Sequence, residues 1–476
     1  MDKKEKSDLY KYLHKDVKEF NKYILSLVCI GILVLAGLLS YFITTSYAYF
    51  TDTIVGKKTI EATVSECNDN NVNSPVLDSA MIPVYYDETS STWKKADSTN
   101  KSNNWYDYCK KKWANSVTVS STNRSKYQSA SVGTEIPMDD ILTMEVWIPR
   151  YKYKVFNYNA DGTKTSSPQE IEITFEKGTT TTGEISCQDA ISATDGKPSE
   201  TCKLKSTNAT CTDDTCNNKT YTHPAFTFGN EEIKGFWIGK YELTGTIDNI
   251  TTKPNLSSLV KQSISNFETN IMKMNDSNNV YGISTNTDTH MIKNIEWGAV
   301  AYLSHSKYGT CTNGVCVEVV NKASTTGNVY GIYNMSGGIE EATMGNLVSN
   351  DGSTMLSGNS SYWNSGYTGK LYDNGDYTSY TGIAYPNAKY YDKYSLSTSA
   401  FSRIISKLGD GIKEVYIGDK DGWYSNISAL ALVHRPWFAR GGSGWNDDSV
   451  FTSSYEKMMG GGDSDITTRL IITPQS

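Results

Sequence analysis

GFWIGKYELTG at Gly235–Gly245 decides the fold. Phe236, Trp237 and Ile238 between glycines read as a strand with alternate aromatic and apolar side chains buried. Working outward, NIEWGAVAYLS at Asn294–Ser304 changes period. Ile295, Ala299 and Tyr302/Leu303 recur at helical spacing, Asn294 stands at the N-cap position, and Gly309 ends the pattern. GNVYGIYNMSGG at Gly327–Gly338 places glycine at turns on either side of a short strand. MEVWIPRYKYKVF at Met144–Phe156 and RLIITP at Arg469–Pro474 read as the opening and closing strands. A second helix is expected only at Thr398–Leu408, and the span Asp351–Lys393 has little periodicity.

The N-terminus sets the compartment. Met1–Lys22 carries lysine in slight excess, and Ile24–Ile43 follows with no charged residue. About 20 apolar residues span a hydrocarbon core of about 30 Å as a helix, and lysines before them favour a cytoplasmic N-terminus. Residues 1–23 are therefore expected inside, 24–43 in the membrane, and the remainder outside. Ser46-Tyr47-Ala48 also supplies small residues for signal-peptidase cleavage near Ala48, so the protein is expected either anchored or secreted. Cysteine usage agrees with an oxidising compartment: eight of the nine cysteines follow the apolar run. Cys211/Cys216 and Cys311/Cys316 share one spacing, and Cys187/Cys202 and Cys67/Cys109 complete the candidate disulfides. No CxxC spacing or neighbouring histidine suggests zinc. A net charge of -7 gives no reason to expect nucleic acid. The 33 tyrosines, with abundant Ser, Gly and Asn, suit an adaptable binding surface, although an AT-rich genome produces the same bias.

Residues 53–138 are polar and broken, with MIPVYYDETSSTWKKAD and NWYDYCKKKWANSVTV as short strands of a β-rich linker or collar. Residues 139–476 form the main domain, with a cysteine-containing insertion at 157–222 that carries one strand, EIEITFEKG.

HPAF at His223–Phe226, GFWIGKYE, NIEWGAVAYLS, GNVYGIYNMSGG and WFARGGSGW at Trp437–Trp445 together resemble the formylglycine-generating enzyme/sulfatase-modifying-factor family, a branch of the C-type lectin fold. The resemblance covers about 70% of the chain, roughly Asp139–Pro474. It implies an α+β C-type lectin fold with long loops, whose last strand returns beside the first, so that Leu470–Ile472 should lie near Val146–Ile148. The departures bear on activity. The oxidases of this family hold copper with two cysteines near the segment matching Arg440–Ser443; here the last cysteine is Cys316, and five scattered histidines do not replace an iron-binding domain. No catalytic residue is assigned. The family's calcium-binding Asn becomes glycine within Gly337–Ala342; Glu340 or Glu341 are candidate substitutes, although the simpler reading makes both solvated acids. Trp445-Asn446-Asp447 spells the WND of sugar-binding lectins without its upstream companion, which makes Asn446 and Asp447 further calcium candidates. Cofactors are otherwise none.

The same motifs resemble surface proteins of gut Firmicutes that are targets of diversity-generating retroelements, in which the segment after RGG varies. Here that segment is 443–468, framed by the RGG turn and the closing strand. The resemblance implies ligand-facing Trp445, Asn446, Asp447, Ser453, Tyr455, Lys457, Asp463 and Asp465. Val450 and Phe451 are expected in the core, and Arg440 and Arg469 as buried structural ions. The expected function is non-catalytic recognition of a protein or glycan at the cell surface. Ala48–Asp52 (AYFTD) resembles the junction of camelysin and matrix-protein signal peptides, which makes a secreted matrix or fibre subunit the alternative. A sulfatase-modifying-factor-like oxidase is a second alternative, disfavoured by the missing copper cysteines.

Overall fold

The computed structural model describes residues 4, 6, 70–154, 170–187, 191–192, 202–211, 215–216, 219–312, 314–316, 324–349, 354–395, 406–412, 414, 431–441, 455–458 and 460–474. The chain divides into two units, Met1–Cys67 and Asn68–Ser476, and the sheets and helices that build the fold, from Ile82 onwards, all belong to the second. Among the described residues no helix is long and apolar enough to cross a membrane; the expected span 24–43 lies outside them.

Strands dominate, with few helices. The central sheet has seven strands in the order Asp288–Met291, Leu470–Thr473, Gly235–Gly239, Ile141–Pro149, Asn115–Val119, Ile82–Asp87 and Thr92–Lys95. Burial explains the sequence patterns. Gly235–Gly239 and Leu470–Thr473 are buried along their whole length, so neither needs a polar face. The closing strand shares the sheet with the opening strand but does not touch it. Trp237 pairs with Ile472 on one side and Trp147 on the other, so Gly235–Gly239 stands between them. The residues of the expected collar are not a separate module either. Asn115–Val119 pairs antiparallel with Ile141–Pro149 and continues the sheet, because the edge of the opening strand offers the backbone partners that its short strands lack on their own.

The single strand expected at Met144–Phe156 is broken at Arg150. Ile141–Pro149 belongs to the central sheet, whereas Tyr151–Lys154 joins a five-stranded sheet with Ile173–Phe175, Thr220–Thr222, Ile185–Cys187 and Cys202–Leu204. Arg150 is fully buried, with Nε 3.0 Å from Glu176, and a buried guanidinium demands such a partner. Disulfides Cys187–Cys202, Cys211–Cys216 and Cys311–Cys316 are present as expected. Cys109 is also disulfide-bonded, and its expected partner Cys67 lies outside the described residues.

Helix Asn294–Ser304 forms where its period places it. The cap moves back by one residue. The Lys293 N–H donates to Glu296 Oε2 at 2.9 Å, and Asn294 Oδ1 instead accepts from Thr343 Oγ1 at 2.7 Å. Two further helices, Ser121–Ser129 and Ile264–Met272, escaped the sequence reading. The first buries only Tyr127, too little to generate a period. In the second, Ser263 is the N-cap, accepting from the Asn266 N–H. Of the helix expected at Thr398–Leu408, the described Ser406–Lys407 form a short strand paired with Ile191–Ser192.

Gly298 of the EWGAV motif has a specific task. A Cβ there would lie 1.9 Å from the Gly409 carbonyl oxygen, so glycine lets the segment around Leu408–Asp410 close on the helix. His223 of HPAF seals the same contact, with Nε2 2.9 Å from Gly409 O and Nδ1 accepting from the Ala225 N–H at 3.2 Å. Burial pushes His223 down to about 3, so it serves as a neutral imidazole. Alanine favours an isolated helix over glycine by about 1 kcal/mol, yet here Gly298→Ala is expected to cost about 1–3 kcal/mol through overpacking. A rise in Tm for that variant would refute the close approach.

Candidate functional site

The site is built on a second sheet. Glu340–Leu347 is flanked by Trp437–Arg440 (antiparallel) and Asp392–Tyr394 (parallel), and Tyr455–Met458 pairs antiparallel with Trp437–Arg440. Arg440 pairs with Tyr455 and Trp437 with Met458, so the two strands form a hairpin closed at Arg440/Tyr455, and residues 442–454 between them lie outside the described residues. The chain then returns past Gly460 to Ile466–Thr467, which pairs parallel with Glu340–Glu341.

Both ends of this excursion are anchored by buried arginines in one network. Arg440, at the outgoing end, lies with its guanidinium 4.4 Å from the Trp297 ring, and Nη1 donates to Asp410 O at 2.8 Å. Trp297 Nε1 donates to Glu341 Oε2 at 3.1 Å. Arg469, at the returning end, donates Nε to both Glu341 carboxylate oxygens at 2.8 Å and Nη1 to Gly239 O at 3.1 Å. A further Nη2 bond reaches Tyr333 O. Each of the motifs read from the sequence thus contributes: Gly239 from GFWIGK, Trp297 from NIEWG, Tyr333 from GIYN, Arg440 from WFARGG, and His223 of HPAF through Gly409 beside Asp410. Arg440, Arg469, Glu341 and Trp297 are all fully buried.

The expectation for the two arginines as structural ions agrees with their placement. Glu341 is corrected: far from being a solvated acid, it is completely buried. Burial raises it to about 7 while Arg469 draws it back. With both oxygens committed to Arg469 and Trp297, its lone pairs are not offered to a calcium ion. Glu340 is half-buried. Among the described residues no group of three or more His, Cys, Asp or Glu is placed to hold a metal; Asn446 and Asp447 lie outside them.

Trp445, Ser453, Val450 and Phe451 also lie outside the described residues, and for Tyr455 and Lys457 only the strand backbone is described. Asp463 and Asp465 are placed on the returning limb. Asp463 is half-buried, its carbonyl accepting from the Lys261 N–H at 2.8 Å, and Asp465 is exposed. Ser464 Oγ bonds the carboxylates of both.

At the foot of the hairpin lies a cleft of ≈ 430 Å³ that the sequence reading missed, lined by Tyr241, Glu242, Lys253, Leu256, Tyr333 and Asn334. Asn334, on its lining, approaches the end of the Trp437–Gly441 segment: a Cβ on Gly441 would stand 3.9 Å from Asn334 O, and the Gly337 N–H donates to Gly441 O at 2.9 Å. Gly337 and Gly338 have positive φ, and a Cβ on Gly338 would meet Glu242 Oε1 at 2.5 Å. Tyr241 and Tyr333 stack with centroids 5.2 Å apart, and burial raises both hydroxyls above the usual tyrosine range. Glu242 accepts from the Ile339 N–H at 3.1 Å and from Ser258 Oγ. The short strand expected within GNVYGIYNMSGG is only a single bridge, Ser324 to Tyr333. Its carbonyls are used elsewhere, since Val329 O and Gly331 O accept from the buried Lys240 ammonium at 2.6 and 2.7 Å.

The chain matches no protein-family model and no curated protein sequence.

Proposed function

We propose that this is an exported, non-catalytic recognition protein of C-type lectin fold, anchored through residues 24–43 or released by cleavage near Ala48. Its ligand, a protein or a glycan of the cell's surroundings, is met by segment 443–468. One observation carries the reading: the two ends of that segment hang from Arg440 and Arg469, fully buried in one network with Trp297 and Glu341. A segment anchored in this way tolerates substitution between its anchors without disturbing the core, which is what a rigid scaffold with adaptable loops requires. Three extracytoplasmic-type disulfides are consistent with export. Tyr241 and Tyr333 would enlarge the contact surface at the foot of the hairpin.

The test is a binding screen of the oxidised protein on glycan and surface-protein arrays, with and without calcium. Trp445→Ala, Asp447→Ala and Tyr455→Ala are each expected to lower affinity at least about tenfold with Tm unchanged, as for truncated aromatic and charged contacts. Loss of binding on calcium chelation would assign Asn446 and Asp447 to the ion. A hit indifferent to all three substitutions, or fibres assembled by the purified protein without any ligand, would overturn the reading in favour of a structural subunit.

A further inference from the structure

We infer that a second cleft, away from the hairpin, is a binding site for a primary alkylammonium group, such as a small amine or a lysine side chain of a partner. The cleft, of ≈ 430 Å³, runs along the C-terminal half of helix Ile264–Met272. The start of that helix is tied to the C-terminal segment through the Ile264 N–H and Gly460 O. The cleft therefore lies towards the opposite end of the helix from Gly460.

Glu268, on the helix, lines the cleft and is 1% exposed. Its Oε2 accepts from the Met291 N–H at 2.6 Å, while Oε1 has no hydrogen-bond partner. Carboxyl oxygens are seldom left unmatched in a fold, so the group is prepared for a donor that arrives from outside. Burial pushes Glu268 up to about 8, although the nearby His290 opposes the shift; a bound cation would favour its ionised form.

The surroundings select a cation. Asp276 lines the cleft and is exposed; Asp288 lines it too, but its oxygens are already engaged by His290, Lys389 and Tyr390, so Asp276 and Glu268 are the acids left for an incoming cation. The carbonyl end of the nine-residue helix, with its partial negative charge, borders it at Met272–Lys273. The fold shows the same chemistry once already beside this cleft. The Lys389 ammonium lies 2.8 Å from Asp288 Oδ2, with its Nζ 4.7 Å from the Tyr390 ring centroid. Tyr390 itself lines the cleft and supplies a ring face for a second ammonium. Met272 and Ile383, the latter 50% exposed, form an apolar wall for the methylenes that carry the charge. One cation, Lys273, also lies on the lining, but its ammonium is bonded to Asn270 Oδ1 at 3.2 Å.

Butylammonium, butan-1-ol and butyrate, titrated into the full chain in mild detergent and followed by saturation-transfer NMR, test the proposal. Saturable binding of butylammonium alone is expected. Glu268→Gln keeps an oxygen for the Met291 N–H, and Asp276→Asn changes an exposed side chain, so both should remain folded. Each is expected to weaken butylammonium at least about fivefold, as for removal of a charge-assisted contact. Butan-1-ol binding as well as butylammonium, absence of saturation, or binding unchanged in both variants would overturn it. None of these outcomes depends on whether segment 443–468 binds its own ligand.

Discussion

Arg469→Met is expected to destabilise the protein by about 3–5 kcal/mol, the cost of leaving one partner of a buried ion pair alone. Arg469 and Glu341 are both 0% exposed, and the guanidinium makes its principal bonds to the two Glu341 oxygens. Removing it strands a carboxylate in the core and also empties the acceptors Gly239 O and Tyr333 O, which connect the central sheet to the turn. Glu341→Leu in the same background removes the stranded charge, so the double variant should recover more than half of the loss. Denaturant unfolding of the two single variants and the double variant gives the coupling energy directly. If the three losses add, the pair is not the anchor described above. The same experiment reports on function, since relaxation at Arg469 frees one end of the recognition segment and should weaken ligand binding even with every contact residue intact.

Stability is expected to fall as pH rises from about 6.5 to about 9, through His290. The imidazole is fully buried, with Nδ1 3.1 Å from Asp288 Oδ1 and Nε2 3.0 Å from Glu296 Oε1. It stacks on Phe228 at 4.9 Å. Burial alone would depress it, but the two carboxylates prevail and raise it from 6.5 to about 9. A histidine raised on folding stabilises fully below its unfolded value and loses that contribution as pH passes its folded value. A displacement of this size corresponds to about 3 kcal/mol. Lys293, Lys389 and Glu268 face the same cluster. The buried carboxyls Glu268 and Glu414, each raised to about 8, add a loss in the same direction between about pH 4.5 and 8. His290→Gln separates the contributions: it should cost most near pH 6, with its stability curve converging on that of the unchanged protein above pH 9. Parallel curves would show that His290 does not titrate in this window.

The legible and illegible parts of the site divide by the range of the forces involved. Tyr241, Glu242 and Tyr333 lie within motifs that read as framework, and they line a cleft only because the fold brings Tyr333, Asn334 and the chain from Lys253 to Ser258 beside Tyr241 and Glu242. Glu341 follows a glycine pair and looked like surface; only Arg469, 128 residues away, makes its burial tolerable. The helix Ile264–Met272 keeps Asn266, Glu268 and Asn270 in its sequence, and Glu268 is buried because it caps the Met291 N–H of a neighbouring strand. No local period reports a partner of that kind.

By itself the sequence determined what is local: strands at Gly235–Gly239 and Leu470–Thr473, a helix at Asn294–Ser304, and cysteine spacings that made three of the disulfides candidates without fixing which cysteines pair. Alternation, helical spacing and loop closure are written in neighbouring residues, so they can be read there. The tertiary structure alone decided that Gly235–Gly239 stands between the opening and closing strands, that Arg150 turns the chain from one sheet into another, and that Glu341 meets Arg469. Strand order and the pairing of buried charges depend on which distant surfaces exclude water together, and a buried ion is stable only where its particular partner arrives.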